Sequence, residues 1–326
     1  QEQISTRKLR VIKYSGSGFV ETQAPLLIDA GGIILARPDP LITPEWVPDE
    51  RISTGVSRLD AMLSGGYYRG SNILITGVPG TAKTTLGGAV AAAARRRGER
   101  ARPDTRDGPM RGLARPLTAV TINMGDLARN RTSVNINLAP YLESGLLQTF
   151  AAYTAVRSAE AHLLTITKLI EEHEPTCIVL DPVSALLKAG GHTESTTAAQ
   201  RLLHLTKSRN ITAVCTSLLA STTTPQEGTD LEVSTLADTW IHLSYQAQSG
   251  ERNRSLSIIK SRGTKHSDQV RELILSEEGI SLADVYTAGG EVLMGTLRWE
   301  KEEEERRAQA QAQRQIEFEQ RKLELT

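Results

Sequence analysis

The sequence predicts an α/β fold: a mainly parallel central sheet with helices on both faces and an antiparallel extension toward the C-terminus. Short apolar runs alternate with helical patterns through the middle of the chain. One strand-to-helix junction carries a near-complete phosphate-binding loop, ITGVPGTAKTTL at residues 75–86. A later apolar strand ends in an acid, Asp181.

Residues 71–76 (SNILIT) read as a buried strand, and 83–96 (KTTLGGAVAAAARR) as a helix. TAVTIN, 118–123, is the next strand. Residues 157–173 carry Ala161, Leu164, Ile166, Leu169 and Ile170 at near-helical spacing. Strands follow at 176–181 and 211–217, with the helix AAQRLLHLTKSR between them. The region 239–282 is richer in strands (WIHLSY, RSLSIIK, VRELIL), which predicts the antiparallel extension. The tail from Lys301 is Glu, Arg, Gln and Ala, predicting one solvated helix. Ile316 and Leu323 form too thin a seam for a coiled coil.

At 326 residues the chain holds one large core or two smaller ones. Lys plus Arg and Asp plus Glu are 38 each, so there is no global basic field for nucleic acid or membrane. No stretch reaches the ~18 apolar residues of a membrane span. Cys177 and Cys215 sit in apolar strand-like runs and read as packed free thiols. With no disulfide framework or metal-binding spacing, the expected compartment is a reducing cytoplasm.

Residues 11–33 repeat at 258–280 without a gap. Ile12 matches Ile259, Lys13 matches Lys260, Gly16 matches Gly263, Leu26 matches Leu273, Gly32 matches Gly279 and Ile33 matches Ile280. Either two strand-turn-strand pieces are similar by chance, or residues 1–36 are the end of an upstream domain. We favour the second. RPDPLITPEWVPDE, 37–50, with its four prolines, then reads as a linker. Residues 51–297 form the complete domain, and 298–326 the charged helical tail.

The standard phosphate loop is G-x-x-x-x-G-K-[ST]. Gly77, Lys83 and Thr84 occupy three of its four fixed positions, and Ala82 replaces the second glycine. Gly77, Pro79 and Gly80 shape the turn, and Ala82 keeps its backbone N–H. The cradle is therefore Gly77, Val78, Pro79, Gly80, Thr81, Ala82, Lys83, Thr84 and Thr85, its N–H groups facing phosphate oxygens. Lys83 would neutralise the β/γ phosphates of ATP. Thr84 and Asp181 would hold Mg²⁺. Hydrolysis also needs a carboxylate to orient or deprotonate water. After TAVTIN come Met124, Gly125 and Asp126, and Asp126 is the acid available there. The preceding Arg- and Pro-rich stretch lacks an apolar period; it is either an insertion or a non-native reading of the gene.

RISTGVSRLDAMLSGGYYRGSNILITGVPGTAKTTL, VLDPVSALL, STLADTWIHL and IIKSRGTKHS together resemble RecA-superfamily ATPases of the KaiC type. The resemblance covers nearly the whole chain. It implies a RecA-like P-loop fold, hexameric rings with ATP between subunits, ATPase and serine/threonine autokinase activity in circadian timing, and a KaiB-like partner. It also implies that Lys260 and Arg262 reach a neighbour's γ-phosphate. In the N-terminal stretch Lys13 is kept, but Ser15 stands in place of the arginine. The autophosphorylated pair would be Ser234 and Thr235, which read without the resemblance as a helix cap or turn. The family's paired catalytic glutamates fall on Met124 and Gly125, which implies impaired catalysis with nucleotide binding intact.

Two alternatives belong to other classes. One is a non-catalytic ATP-binding ring scaffold. The other is a RecA-type DNA recombinase, which needs basic loops facing DNA. The corresponding stretch here, STTTPQEGTDLEV, carries three acids and no Lys or Arg.

Overall fold

The computed structural model describes residues 7–17, 23–29, 32–35, 49–96, 119–123, 143, 147–151, 158–187, 192–219, 233–248, 250–288 and 291–324. Among these residues the chain starts with a three-stranded antiparallel sheet: β1 (Lys8–Leu9), β2 (Ala24–Asp29) and β3 (Gly32–Leu35). A short pair, β4 (Arg51–Ile52) and β5 (Tyr67–Tyr68), brackets helix α1 (Ser57–Met62). Then come β6 (Asn72–Gly77), α2 (Lys83–Arg96), β7 (Ala119–Asn123), β8 (Leu147–Ala151), α3 (Ala159–His173) and β9 (Cys177–Asp181). They are followed by α4 (Ser184–Leu187), α5 (His192–Ser208), β10 (Thr212–Leu218) and α6 (Val233–Leu236). The last part holds β11 (Thr239–Gln248), β12 (Glu251–Ser261), β13 (Arg271–Ser276) and β14 (Gly279–Ala283). The pair β15 (Tyr286–Ala288) and β16 (Glu291–Leu293) precedes α7 (Gly295–Glu324).

Among the described residues nine strands form the central sheet, in the order β14-β13-β12-β11-β6-β10-β9-β7-β8. From β11 to β8 the neighbours run parallel, and from β11 to β14 antiparallel. This is the RecA-like α/β architecture expected: a parallel block with an antiparallel extension. Side-chain alternation splits the core in two. Ile73 and Ile75 of β6 pack with Leu86 and Val90 of α2 and Leu59 of α1 on one face. Leu74 packs with Ile166 and Ile170 of α3 and Leu202 of α5 on the other. Cys177 and Cys215 lie in these opposite cores as buried free thiols. Burial pushes the Cys215 thiol up to about 12, so it is inert at neutral pH.

Two elements differ in extent from expectation. Helix α5 begins at His192, ahead of its apolar stripe: its start is polar, and the face turned inward there is carried by the small buried residues Ser195 and Thr196, which show no apolar period. Helix α7 begins at Gly295, and its first turn is docked rather than solvated. The backbone N–H of Gly295 donates to buried Glu272 at 3.0 Å, and Arg298 donates to the same carboxylate at 2.7 Å. Thr296 is bonded to Glu251. These contacts lie in β12 and β13, far off in sequence, so the tail pattern could not display them.

The repeated stretches share one strand register. In the N-terminal sheet Lys8 pairs Pro25, Leu9 pairs Ala24 and Leu26 pairs Leu35. At the corresponding positions Ser255 pairs Glu272, Leu256 pairs Arg271 and Leu273 pairs Leu282. Burial differs sharply. Leu256 is 0% and Leu282 6% exposed, whereas Leu9 is 41% and Leu35 42% exposed. Ile28 and Ile33 are also exposed, at 54% and 67%.

Candidate nucleotide-binding site

The phosphate loop leaves the C-terminal end of β6, which lies between β10 and β11. Gly77 is required by close approach: a Cβ there would meet the Leu243 carbonyl oxygen of β11 at 2.3 Å. Ala82 has φ +75, the left-handed region that suits glycine and strains an alanine. Its carbonyl accepts the first α2 hydrogen bond, from Leu86 N–H at 2.9 Å, and so commits the chain to the helix. The backbone thus keeps the shape a glycine would favour, and the methyl group is the strained part. We expect Ala82→Gly to raise stability by about 1 kcal/mol, a few degrees in thermal midpoint. Thermal unfolding checks it, and a lower midpoint would contradict the strain.

Lys83 is 6% exposed, and its ammonium donates to the Gly77 carbonyl at 2.8 Å and the Val78 carbonyl at 2.7 Å. Thr81, fully buried, donates its hydroxyl to the Val78 carbonyl at 2.9 Å. Burial lowers the Lys83 ammonium to about 8, and Asp181 partly opposes the shift. Burial thus leaves the ammonium poorly solvated, and a phosphate anion beside it would favour its charged form. Thr84 and Thr85 follow half-buried in the first turn of α2.

Asp181 ends β9, one strand beyond β10, and is 7% exposed. It accepts from the Thr216 hydroxyl of β10. Leu218 of β10 pairs with Gly77, so loop and carboxylate share one end of the sheet. Asp181 and Thr84 offer hard oxygen donors suited to Mg²⁺. Among the described residues no cluster of three His, Cys, Asp or Glu forms a closed metal cage. The donor set therefore fits an ion completed by phosphate and water. Bound there, Mg²⁺ would neutralise charge on the phosphates.

Strand β7 ends at Asn123, which pairs with Asp181. Met124, Gly125 and Asp126 come next but lie outside the described residues, as do all of 98–118 and the acidic stretch 221–232.

Lys260 and Arg262 are not brought to this end. Lys260 pairs with Trp240 near the start of β11, whereas Gly77 lies against Leu243, about 10 Å further along the strand. Arg262 continues away from the loop. Its guanidinium donates to the Thr235 carbonyl at 2.5 Å, and its N–H to the Asp238 carbonyl at 2.8 Å. Burial lowers Lys260, nearby Arg262 lowers it further, and Asp238 opposes both. Ser234 and Thr235 lie in α6, just before β11. The two basic residues and the Ser-Thr pair thus cluster at one end of the sheet, and Lys83 with Asp181 at the other.

Three residues beside the loop carried no recognisable signal. His242 sits in a chain in which Trp240 Nε1–H donates to Thr76 Oγ1 at 2.9 Å, with Thr76 Oγ1 3.1 Å from His242 Nδ1. Burial and the Lys83 charge lower its pKa, holding it neutral. Tyr245 and Arg254 contact the loop apex at Gly80. A lone His, Tyr or Arg in an alternating strand reads as ordinary strand chemistry. Only the pairing of β11 with β6 reveals its neighbour.

A family profile described as "ATPase: KaiC" matches residues 52–285. The chain is 39% identical over 299 residues to "Circadian clock protein KaiC2" of Synechocystis sp., covering 91% of this chain and 50% of that protein. It is 28% identical over 290 residues to "Circadian clock oscillator protein KaiC" of Picosynechococcus sp., covering 89% and 54%. It is 29% identical over 289 residues to the protein of the same name from Prochlorococcus marinus, covering 89% and 55%. The chain spans about half the length of these relatives. No helix among the described residues is long and apolar enough to cross a membrane. With a phosphate loop, a strand-end carboxylate and the profile match on one RecA-like sheet, the chain belongs to the KaiC ATPase family.

Proposed function

We propose that the chain binds Mg²⁺-ATP and assembles with copies of itself into a ring, hexameric as in the resemblance, with nucleotide between subunits. Its activity is that of an ATPase and serine/threonine autokinase in circadian timing or signalling, in the cytoplasm, with a KaiB-like partner protein. One observation carries this reading. Lys83 and Asp181 stand at the opposite end of the sheet from Lys260, Arg262, Ser234 and Thr235. A single copy cannot apply both sets to one γ-phosphate; two copies in a ring can. Lys83 and the loop N–H groups bind the phosphates, and Thr84 and Asp181 place the metal. Lys260 and Arg262 of the next copy meet charge developing on the γ-phosphoryl. Ser234 or Thr235 of that copy is the acceptor.

The scaffold reading, in which ATP cements the ring without being consumed, is favoured by one observation: Met124 and Gly125 stand where the family pattern has its glutamates. A recombinase is disfavoured by the acids of 221–233. We further propose that residues 1–36 are the end of an upstream domain, joined through 37–50 to the domain 51–297 and the tail 298–326. The shared strand register supports it, as does exposure in β1–β3 of residues whose counterparts are buried.

Intact and native mass spectrometry of the protein with ATP tests the function. Rings that hold nucleotide and carry added phosphate support the autokinase. ATP-dependent rings without phosphorylation or phosphate release support the scaffold. A monomer that retains no nucleotide refutes both.

A further inference from the structure

We propose that Tyr245 is a positioning residue that fixes the phosphate loop in its phosphate-accepting conformation, a role that rests on the nucleotide-binding reading. The Tyr245 hydroxyl donates to the Gly80 carbonyl at the loop apex at 2.6 Å. Arg254 Nε donates to the same carbonyl at 3.2 Å. Tyr245 and Arg254 are cross-strand partners in β11 and β12, so one pair supplies both donors. The Arg252 guanidinium sits 3.7 Å from the Tyr245 ring centroid and holds the ring in place.

Gly80 makes this approach possible. It has φ +83, and a Cβ there would lie 2.8 Å from the phenol oxygen. The same freedom lets the Gly80–Thr81 peptide flip at little steric cost. That peptide is trans, so its carbonyl and its N–H point in opposite directions. With the carbonyl tied outward to β11 and β12, the Thr81 N–H points away from them, into the loop. There Lys83 is held by the Gly77 and Val78 carbonyls. An inward N–H is what a phosphate oxygen needs; an inward carbonyl would repel it. Tyr245 therefore acts on the phosphate through the loop, without touching the nucleotide.

The test is Tyr245→Phe in the full chain, with ATP affinity measured by titration and inorganic tripolyphosphate as competitor. The ring and its packing remain, so the nucleotide-free thermal midpoint should move little. We expect the Kd for ATP to rise about tenfold, the worth of one well-placed hydrogen bond, and tripolyphosphate to weaken by the same factor. Arg252→Gln, which keeps both donors but loosens the ring, should raise the Kd about threefold and serves if Tyr245→Phe does not fold. An ATP affinity within twofold of the parent in the folded variant overturns the proposal. So does a lowered thermal midpoint with unchanged Kd, which is a structural role. A parent chain that binds neither ATP nor tripolyphosphate overturns the nucleotide-binding reading itself.

Discussion

Placing glutamates at positions 124 and 125 together, Met124→Glu with Gly125→Glu, is expected to raise single-turnover ATP hydrolysis about a hundredfold or more. The argument runs through β7. This strand is parallel to β9, and its last residue, Asn123, pairs with Asp181. Strand β7 therefore ends beside the proposed metal carboxylate, on the same end of the sheet as Lys83. A carboxylate issuing from that point can orient or deprotonate an attacking water, and general-base catalysis of this kind contributes roughly 10²–10⁴ in rate. Met124 offers no base and Gly125 no side chain, so the parent should hold ATP and cleave it slowly. Phosphate release from a single enzyme-bound turnover measures this. A parent that already turns over as fast as the doubly substituted chain would show that the base lies elsewhere.

Removing the arginine, Arg262→Ala, in that Glu-bearing chain should lower turnover about a thousandfold while leaving each copy's own loop intact. Arg262 cannot reach the loop of its own chain, because β12 carries it past the start of β11 while the loop leaves beside Leu243. Its loss should therefore be repaired in trans. Mixed with a chain bearing Lys83→Ala, which keeps the arginine but cannot hold phosphate, the Arg262→Ala chain should recover a measurable part of its activity. Phosphate release from mixtures at several ratios checks this. Activity that simply falls with dilution by the second chain would mean that each copy works alone. The substitution has a local structural cost as well, since Arg262 ties to the Thr235 carbonyl, so a conservative Arg262→Lys variant belongs beside it.

Much of the architecture was legible without coordinates. The apolar runs of β6, β9 and β10 stand between helical patterns, and burial on both faces of a parallel sheet produces that continuous pattern. The loop and Asp181 were legible because their chemistry demands fixed residue types at fixed places on a strand-turn-helix. The first turn of α7 was not, because Glu251 and Glu272, which hold it, are distant in sequence. The contact of Tyr245 with the loop was not, because it depends on the end of β11 standing beside Gly80.

Ala82 shows the division most sharply. By itself the sequence determined that a phosphate loop is present and that an alanine replaces its second glycine. Only the tertiary structure decided that this residue sits at φ +75, so that the substitution strains the backbone while keeping its shape. The sequence likewise determined which residues carry the charges: Lys83, Asp181, Lys260 and Arg262. That they fall at two ends of one sheet was decided by strand order and register. These depend on pairings between segments far apart in the chain, which no local pattern encodes.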